Sequence, residues 1–238
     1  MTEYFDIWTY LASEPLLWLT ATLLAYLGAD RVFQWTGRNP LANPVLLAAL
    51  LLSVVLVISG TEYPTYLEGA QFVHFMLGPA TVCLAVPFYQ NLSKLRETFV
   101  PIMVALFAGG LTAIFTGLAL GWALGLSRDT LLSLLPKSTT APVAMGISES
   151  IGGSPTLTVV FVLFAGMTGA IIATPMFTAL GFRDWRARGL SAGIASHGIG
   201  TARAMSLNET AGAFAGIGMG LSALFTSLVV PIIVSVFF

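Results

Sequence analysis

Long apolar runs separated by short clusters of charge organise this chain. A helix needs about 20 mostly apolar residues to cross a bilayer core. Residues 40–61, 69–93, 98–127, 150–182 and 210–238 each meet that length without an Asp, Glu, Lys or Arg. Residues 15–33 do so while tolerating Asp30 and Arg31 at one end. Two further apolar segments are interrupted. The segment 130–153 contains Lys137 and Glu149, and 189–207 contains His197 and Arg203. The pattern predicts an all-α, polytopic bundle of transmembrane helices.

Loop charge orients such a bundle, because Lys and Arg collect on the cytoplasmic side. No Lys or Arg precedes Arg31, which starts the chain outside. Arg31 and Arg38 then fall inside, Glu62 and Glu68 outside, and Lys94 and Arg96 inside. The cluster Arg183, Arg186 and Arg188 falls inside only if 130–153 dips into the membrane and returns. With 189–207 read as a crossing, the expectation is seven spans plus one re-entrant segment. The N-terminus is then outside and the C-terminus cytoplasmic, in a bacterial inner membrane. The opening residues are acidic and lack the basic start of a cleavable signal, so the first span is expected to stay.

Composition agrees and narrows the partners. The chain is 56% hydrophobic and 9% charged, against about 25% charged in soluble domains. A net charge of -1 gives no basic field for nucleic acid. The single cysteine, Cys83, excludes an internal disulfide or a cysteine metal cluster. Cofactors and catalysis find no support either, since no spacing sets a nucleophile beside a base.

An internal repeat is visible. Gly110-Leu-Thr-Ala-Ile-Phe-Thr-Gly-Leu118 matches Gly220-Leu-Ser-Ala-Leu-Phe-Thr-Ser-Leu228, 110 residues later. Gly69, Gly78 and Thr81 match Gly189, Gly198 and Thr201, and Asn43-Pro44 echoes Ser154-Pro155. In the topology above, matched spans run in opposite directions. That is the inverted-repeat plan of many secondary transporters, with a first repeat near 15–127, a second near 130–238, and one domain overall.

In that plan, interrupted helices near the midplane expose backbone groups to a solute. Three segments carry the Pro, Gly and hydroxyl residues that mark such breaks. In Leu135-Pro-Lys-Ser-Thr-Thr-Ala-Pro142, Pro136 stops a helix; Ser138, Thr139 and Thr140 suit an N-cap, and Pro142 suits the first turn of a new helix. A helix start favours an anion, and Lys137 adds a charge. The alternative is a Pro-kinked helix whose lysine reaches the surface. In Ser196-His-Gly-Ile-Gly-Thr-Ala-Arg203, Thr201 offers a hydroxyl and Arg203 a fork of donors. Arg203 could equally pair with Glu149 for structure alone. His197 is a donor or proton carrier if it is not simply packed. Gly78, Pro79 and Thr81 would add backbone and hydroxyl contacts, or helix packing only. Ser148 and Glu149 are candidates for a coupling cation or proton. Lys137 and Arg203 against Glu149 leave one positive charge, which a small monovalent anion would neutralise.

These segments resemble the LrgB/CidB family, in its YohK-like bacterial branch. The resemblance runs from Asn43-Pro-Val-Leu-Leu47 through Leu77-Gly-Pro-Ala-Thr-Val82, Ser133-Leu-Leu-Pro-Lys-Ser138 and Glu149-Ser-Ile-Gly-Gly153 to Ser196-His-Gly-Ile-Gly-Thr-Ala-Arg203. It implies two functions. One is antiholin-like regulation of murein hydrolase export and lysis beside a small LrgA/CidA-type membrane partner. The other is transport of glycolate, glycerate, lactate or pyruvate, as in plastid relatives and some bacterial members. The residues favour a secondary carrier of small monocarboxylates by alternating access. Lys137 and Arg203 would hold the carboxylate, with lipid around the bundle and a homo-oligomer left open.

Overall fold

The computed structural model describes residues 15–76, 79, 82, 86, 89 and 92–238. Every regular element among them is helical, and the chain forms a multi-pass membrane protein. It divides into two compact units, 1–80 and 81–238, with the division falling inside the first repeat expected from sequence.

In the first unit, α1 (Pro15–Trp35) is followed by a short 3-10 turn, α2 (Pro44–Ser59) and α3 (Tyr63–Phe75). Asn43 caps α2 by accepting from the Val45 and Leu46 N–H groups, and Pro44 needs no acceptor at the first position. Gly60 ends the helix at φ 66°, a left-handed conformation that costs glycine little. Ala25 and Ala29 pack on Ala48 and Leu52. Trp18 is buried edge-on to Tyr66, with Gly69 providing the space beside it.

The second unit holds α4 (Leu92–Glu97), α5 (Phe99–Ala123), α6 (Arg128–Leu134), α7 (Ala141–Ser150), α8 (Pro155–Ala179), α9 (Trp185–Leu207) and α10 (Glu209–Phe237). Among the described residues, four helices are long and apolar enough to cross a membrane: α1, α5, α8 and α10. They match four of the expected spans. Their outer faces carry exposed Leu, Val, Ile and Phe, among them Val104, Phe164, Leu228 and Ile232, as lipid contact requires.

The turn between α6 and α7 makes a hairpin. Leu131 of α6 faces Gly121 of α5, and Lys137 beyond it reaches Ala113, so α6 runs back along α5 towards the middle of that helix. α7 then returns, because Gly153 lies against Leu132 and Ser133. A buried hydroxyl cluster closes the base. Ser133 Oγ donates to Asp129 O and accepts from Ser154 N–H at 2.8 Å. Thr158 Oγ1 lies 2.7 Å from Ser148 Oγ and 3.0 Å from Ser133 O. Ser133→Ala removes the acceptor of the Ser154 N–H, and losing this part-buried bond costs about 0.5–1.5 kcal/mol. Thermal unfolding in detergent should show a lowered midpoint, and an unchanged midpoint would remove the cluster from the stability of this hairpin.

The segment 189–207, expected to cross the membrane, turns back instead. α9 is interrupted at Ser196 (φ −131°, ψ 15°) and His197 (φ 40°, ψ −132°). The chain reverses there: a Cβ on Gly200 would lie 2.5 Å from Ala192 O, whereas eight residues of straight helix would span about 12 Å. Gly189 and Gly193 face Ala211 and Ala215, so the first leg runs parallel to α10. Thr201 beside Ala215 and Met205 beside Gly212 make the second leg antiparallel to it. A helix that crosses and a helix that returns have the same apolar composition, which is why hydropathy did not separate them.

Two corrections follow. Phe107 packs edge-on to Phe225, and Phe115 and Trp122 meet Phe237, so α5 and α10 run parallel. These two helices carry the best internal sequence match, and the inversion expected for them is absent. The C-terminus accordingly ends on the face opposite the Arg183–Arg188 cluster, not on the same face.

Candidate functional site

Both hairpin tips converge on the middle of α5. The first brings Lys137 to Ala113, and the second sets Ile194 3.7 Å from the position of a Cβ on Gly109. Those α5 residues are one turn apart, about 6 Å along the axis. The tips therefore meet deep in the membrane from opposite faces.

At the first tip, Thr140 occupies the N-cap of α7 in an extended conformation, yet its side chain makes no capping bond. Thr139 is fully buried and Thr140 nearly so, and neither Oγ1 has a partner. The first-turn N–H groups of Ala141 and Val143 have no intrahelical acceptor, and Pro142 supplies no N–H. Donors thus gather around the start of α7 in a protected spot. Lys137 lies at the same tip. Its ammonium donates to Ala113 O at 2.7 Å, and the missing side chain of Gly117 makes room for it. It pins the tip to α5. Ser138 is half-buried in the turn.

The second tip is held by α8 and α10. His197 Nε2 donates to Val162 O at 2.9 Å, which fixes the proton on that nitrogen, and its ring fills the space over Gly166. Ser196 is buried against Gly169, with no partner for its Oγ. Ser222 donates to Ile194 O, a carbonyl just before the break. Thr201 donates to His197 O at 2.7 Å, anchoring the return leg.

Arg203 is not brought together with Lys137. It lies six residues past the tip, about 9 Å nearer the membrane face, in a cleft shared with Arg188 and Trp185. Ser148 is committed to the hydroxyl cluster, while Glu149 is exposed. Pro79 is helical and exposed, and Gly78 and Thr81 lie outside the described residues. Sequence reasoning missed Ser133, Thr158, Ser196 and Arg188. Ser196 stands beside His197 in the string already singled out; the other three needed the hairpin geometry. At the mouth of the second hairpin, Asp184 caps α9 and bonds Arg186. That side-chain bond holds the exposed Asp184 carboxyl below its ordinary range. The pair's small contribution is present above the ordinary carboxylate pKa and fades as pH falls through the lowered one.

A model of the LrgB-like family matches residues 22–236. This chain belongs to that family. It is 35% identical over 228 residues to the holin-like protein CidB of Staphylococcus epidermidis, covering 94% of this chain and 98% of the relative. The holin-like protein CidB of Staphylococcus aureus is 34% identical over 229 residues, with the same two shares. The uncharacterized protein YxaC of Bacillus subtilis is 34% identical over 216 residues, covering 91% of this chain and 94% of its own. No solved structure matches. The CidB names agree with the antiholin-like expectation better than with a monocarboxylate carrier.

Proposed function

We propose that this LrgB-like protein acts as a holin-like membrane component, regulating murein hydrolase export and lysis beside a small LrgA/CidA-type membrane partner. The observation that carries this reading is the full-length similarity to holin-like CidB proteins. The fold contributes a device for it: two hairpins meeting in the middle of the membrane close a path that their separation would open. Loop charges put Lys94, Arg96 and the 183–188 arginines on the cytoplasmic side. The second hairpin then opens inside, and the first hairpin and the C-terminus face outside.

A second reading, a secondary carrier of small monocarboxylates, is favoured by one specific observation. Buried hydroxyls without partners, at Thr139, Thr140 and Ser196, sit at both hairpin tips. Unsatisfied buried groups cost about 1–3 kcal/mol each, and a bound solute with oxygen atoms would satisfy them. The donors around α7 suit a carboxylate, with Lys137 positioning the tip and Arg203 outside the first contacts.

Reconstitution separates the two. Co-expression with an LrgA/CidA-type partner should alter extracellular murein hydrolase activity on the holin-like reading, and no change with or without the partner removes it. On the carrier reading, proteoliposomes holding the purified chain alone should exchange labelled glycolate or pyruvate while retaining a trapped dye. Dye leakage, or no exchange, removes the carrier.

A further inference from the structure

The tips of the two hairpins are attached to α5 by contacts of different strength. Lys137 fastens the first with a charged donor on Ala113 O at 2.7 Å, and charged hydrogen bonds are roughly twice as strong as neutral ones. The second tip bonds α8 and α10 instead, through His197 to Val162 O and through Ser222 to Ile194 O. Against α5 it sets an apolar contact, Ile194 lying 3.7 Å from the position of a Cβ on Gly109. The second tip is therefore the easier of the two to lift from α5. A cavity of about 300 Å³ lies between α5 and the first leg of this hairpin, with Phe214 of α10 behind it. Thr98 and the Asp184–Arg186 pair form its mouth. Ala105 and Ser191 line its deep end, about 10 Å further in along either helix and one turn short of Gly109 and Ile194. The space is a wedge between two helices that run the same way. Small side chains, Ala105, Ala187 and Ser191, leave it open, and Ile194 against Gly109 closes its inner end.

We propose that this wedge is the water-filled entrance to the path between the hairpins, and that Ile194 seated on Gly109 is its inner gate. The inference rests on the reading that the path runs where the two tips meet, and it serves either function given above. An ion pair at the mouth and a serine at depth suit water better than an acyl chain, and the volume matches the smaller pockets that take small solutes. The non-helical backbone at Ser196 and His197 is the bend about which the tip lifts. Lifting it separates one apolar contact and joins the wedge to the buried hydroxyls at the first tip, which Lys137 keeps in place on α5.

The test is cysteine accessibility in the full chain in membranes, with the native thiol removed by Cys83→Ser. Ser191→Cys should react with a charged, membrane-impermeant methanethiosulfonate supplied to the face that carries Arg183, which a reference Arg183→Cys identifies, and should not react from the opposite face. Reaction with a membrane-permeant maleimide alone would mean that lipid fills the wedge, and reaction from both faces would mean that nothing closes it; either overturns the proposal. The gate is read at the other tip with Thr140→Cys. Adding Ile194→Ala should raise its reaction rate from the Arg183 face about tenfold, and Ile194→Val should raise it less. The valine variant removes one methylene and keeps the answer available if alanine unfolds the chain. A rate unmoved by either substitution overturns the gate. Labelling requires neither hydrolase export nor solute exchange, so failure here is distinct from failure of either functional reading.

Discussion

Replacing Gly189 and Gly193 with alanine should each destabilise the protein by about 1–3 kcal/mol, the usual cost of forcing an extra carbon into a packed interface. A Cβ at Gly189 would collide with Ala211 O, and one at Gly193 with Ala215 O. Both obstacles are backbone atoms of α10 and cannot rotate away, so the first leg of the second hairpin has to separate from that helix. Gly218 leaves room for Leu190 O on the α10 side of the same contact, where an added Cβ would lie 2.6 Å from that oxygen. The contrast lies within the molecule. Gly146 and Gly198 are helical with nothing within 4 Å of an added Cβ, and alanine there should be neutral or stabilising by up to about 1 kcal/mol. Thermal unfolding of the four single variants in one detergent decides the matter. Equal midpoints for all four would mean that the legs and α10 are not in close backbone contact, and the hairpin assignment would fall.

Thr139→Val and Thr140→Val should leave stability unchanged or raise it, while reducing solute exchange by an order of magnitude if the carrier reading holds. Valine keeps the branched shape and removes a hydroxyl that has no partner in the folded chain, so the usual penalty of about 1–3 kcal/mol for a lost buried bond does not apply. The same substitution at Thr158 should do the reverse, because its hydroxyl bonds Ser133 and Ser148 inside the hairpin base. Stability that falls alike at positions 139, 140 and 158 would show that the first two hydroxyls serve structure. Exchange that survives in the Thr139 and Thr140 variants would separate any transport from this tip, and leave the holin-like reading standing alone.

Lys137 stands at the same tip. Its position in the string Leu-Leu-Pro-Lys-Ser invites a role as the charge that meets an anion. In the structure one of its three N–H donors bonds Ala113 O, in the gap left by Gly117. A lysine in lipid must find an oxygen somewhere. A carbonyl one turn from the opposing hairpin makes it a fastener between the tip and α5.

Much of this was present in the order of the residues. Gaps between charges made a membrane protein unavoidable, and they located α1, α5, α8 and α10 within a few residues, because the transfer of apolar groups from water depends on composition and length alone. Pro136 and Pro142 around three hydroxyl residues marked the first break, and the glycines beside His197 marked the second. Direction was another matter. Whether a broken segment crosses or returns is set by a few backbone dihedrals, here those of Ser196 and His197, and by whether a neighbouring helix has glycines that let the returning leg approach. Both legs bury the same kind of side chain whichever way they run, so hydropathy is silent on it. That choice made α5 and α10 parallel, carried the C-terminus to the other face and set Arg203 apart from Lys137; the chain's own order fixed what is buried in lipid, and only packing in three dimensions fixed which way each piece points.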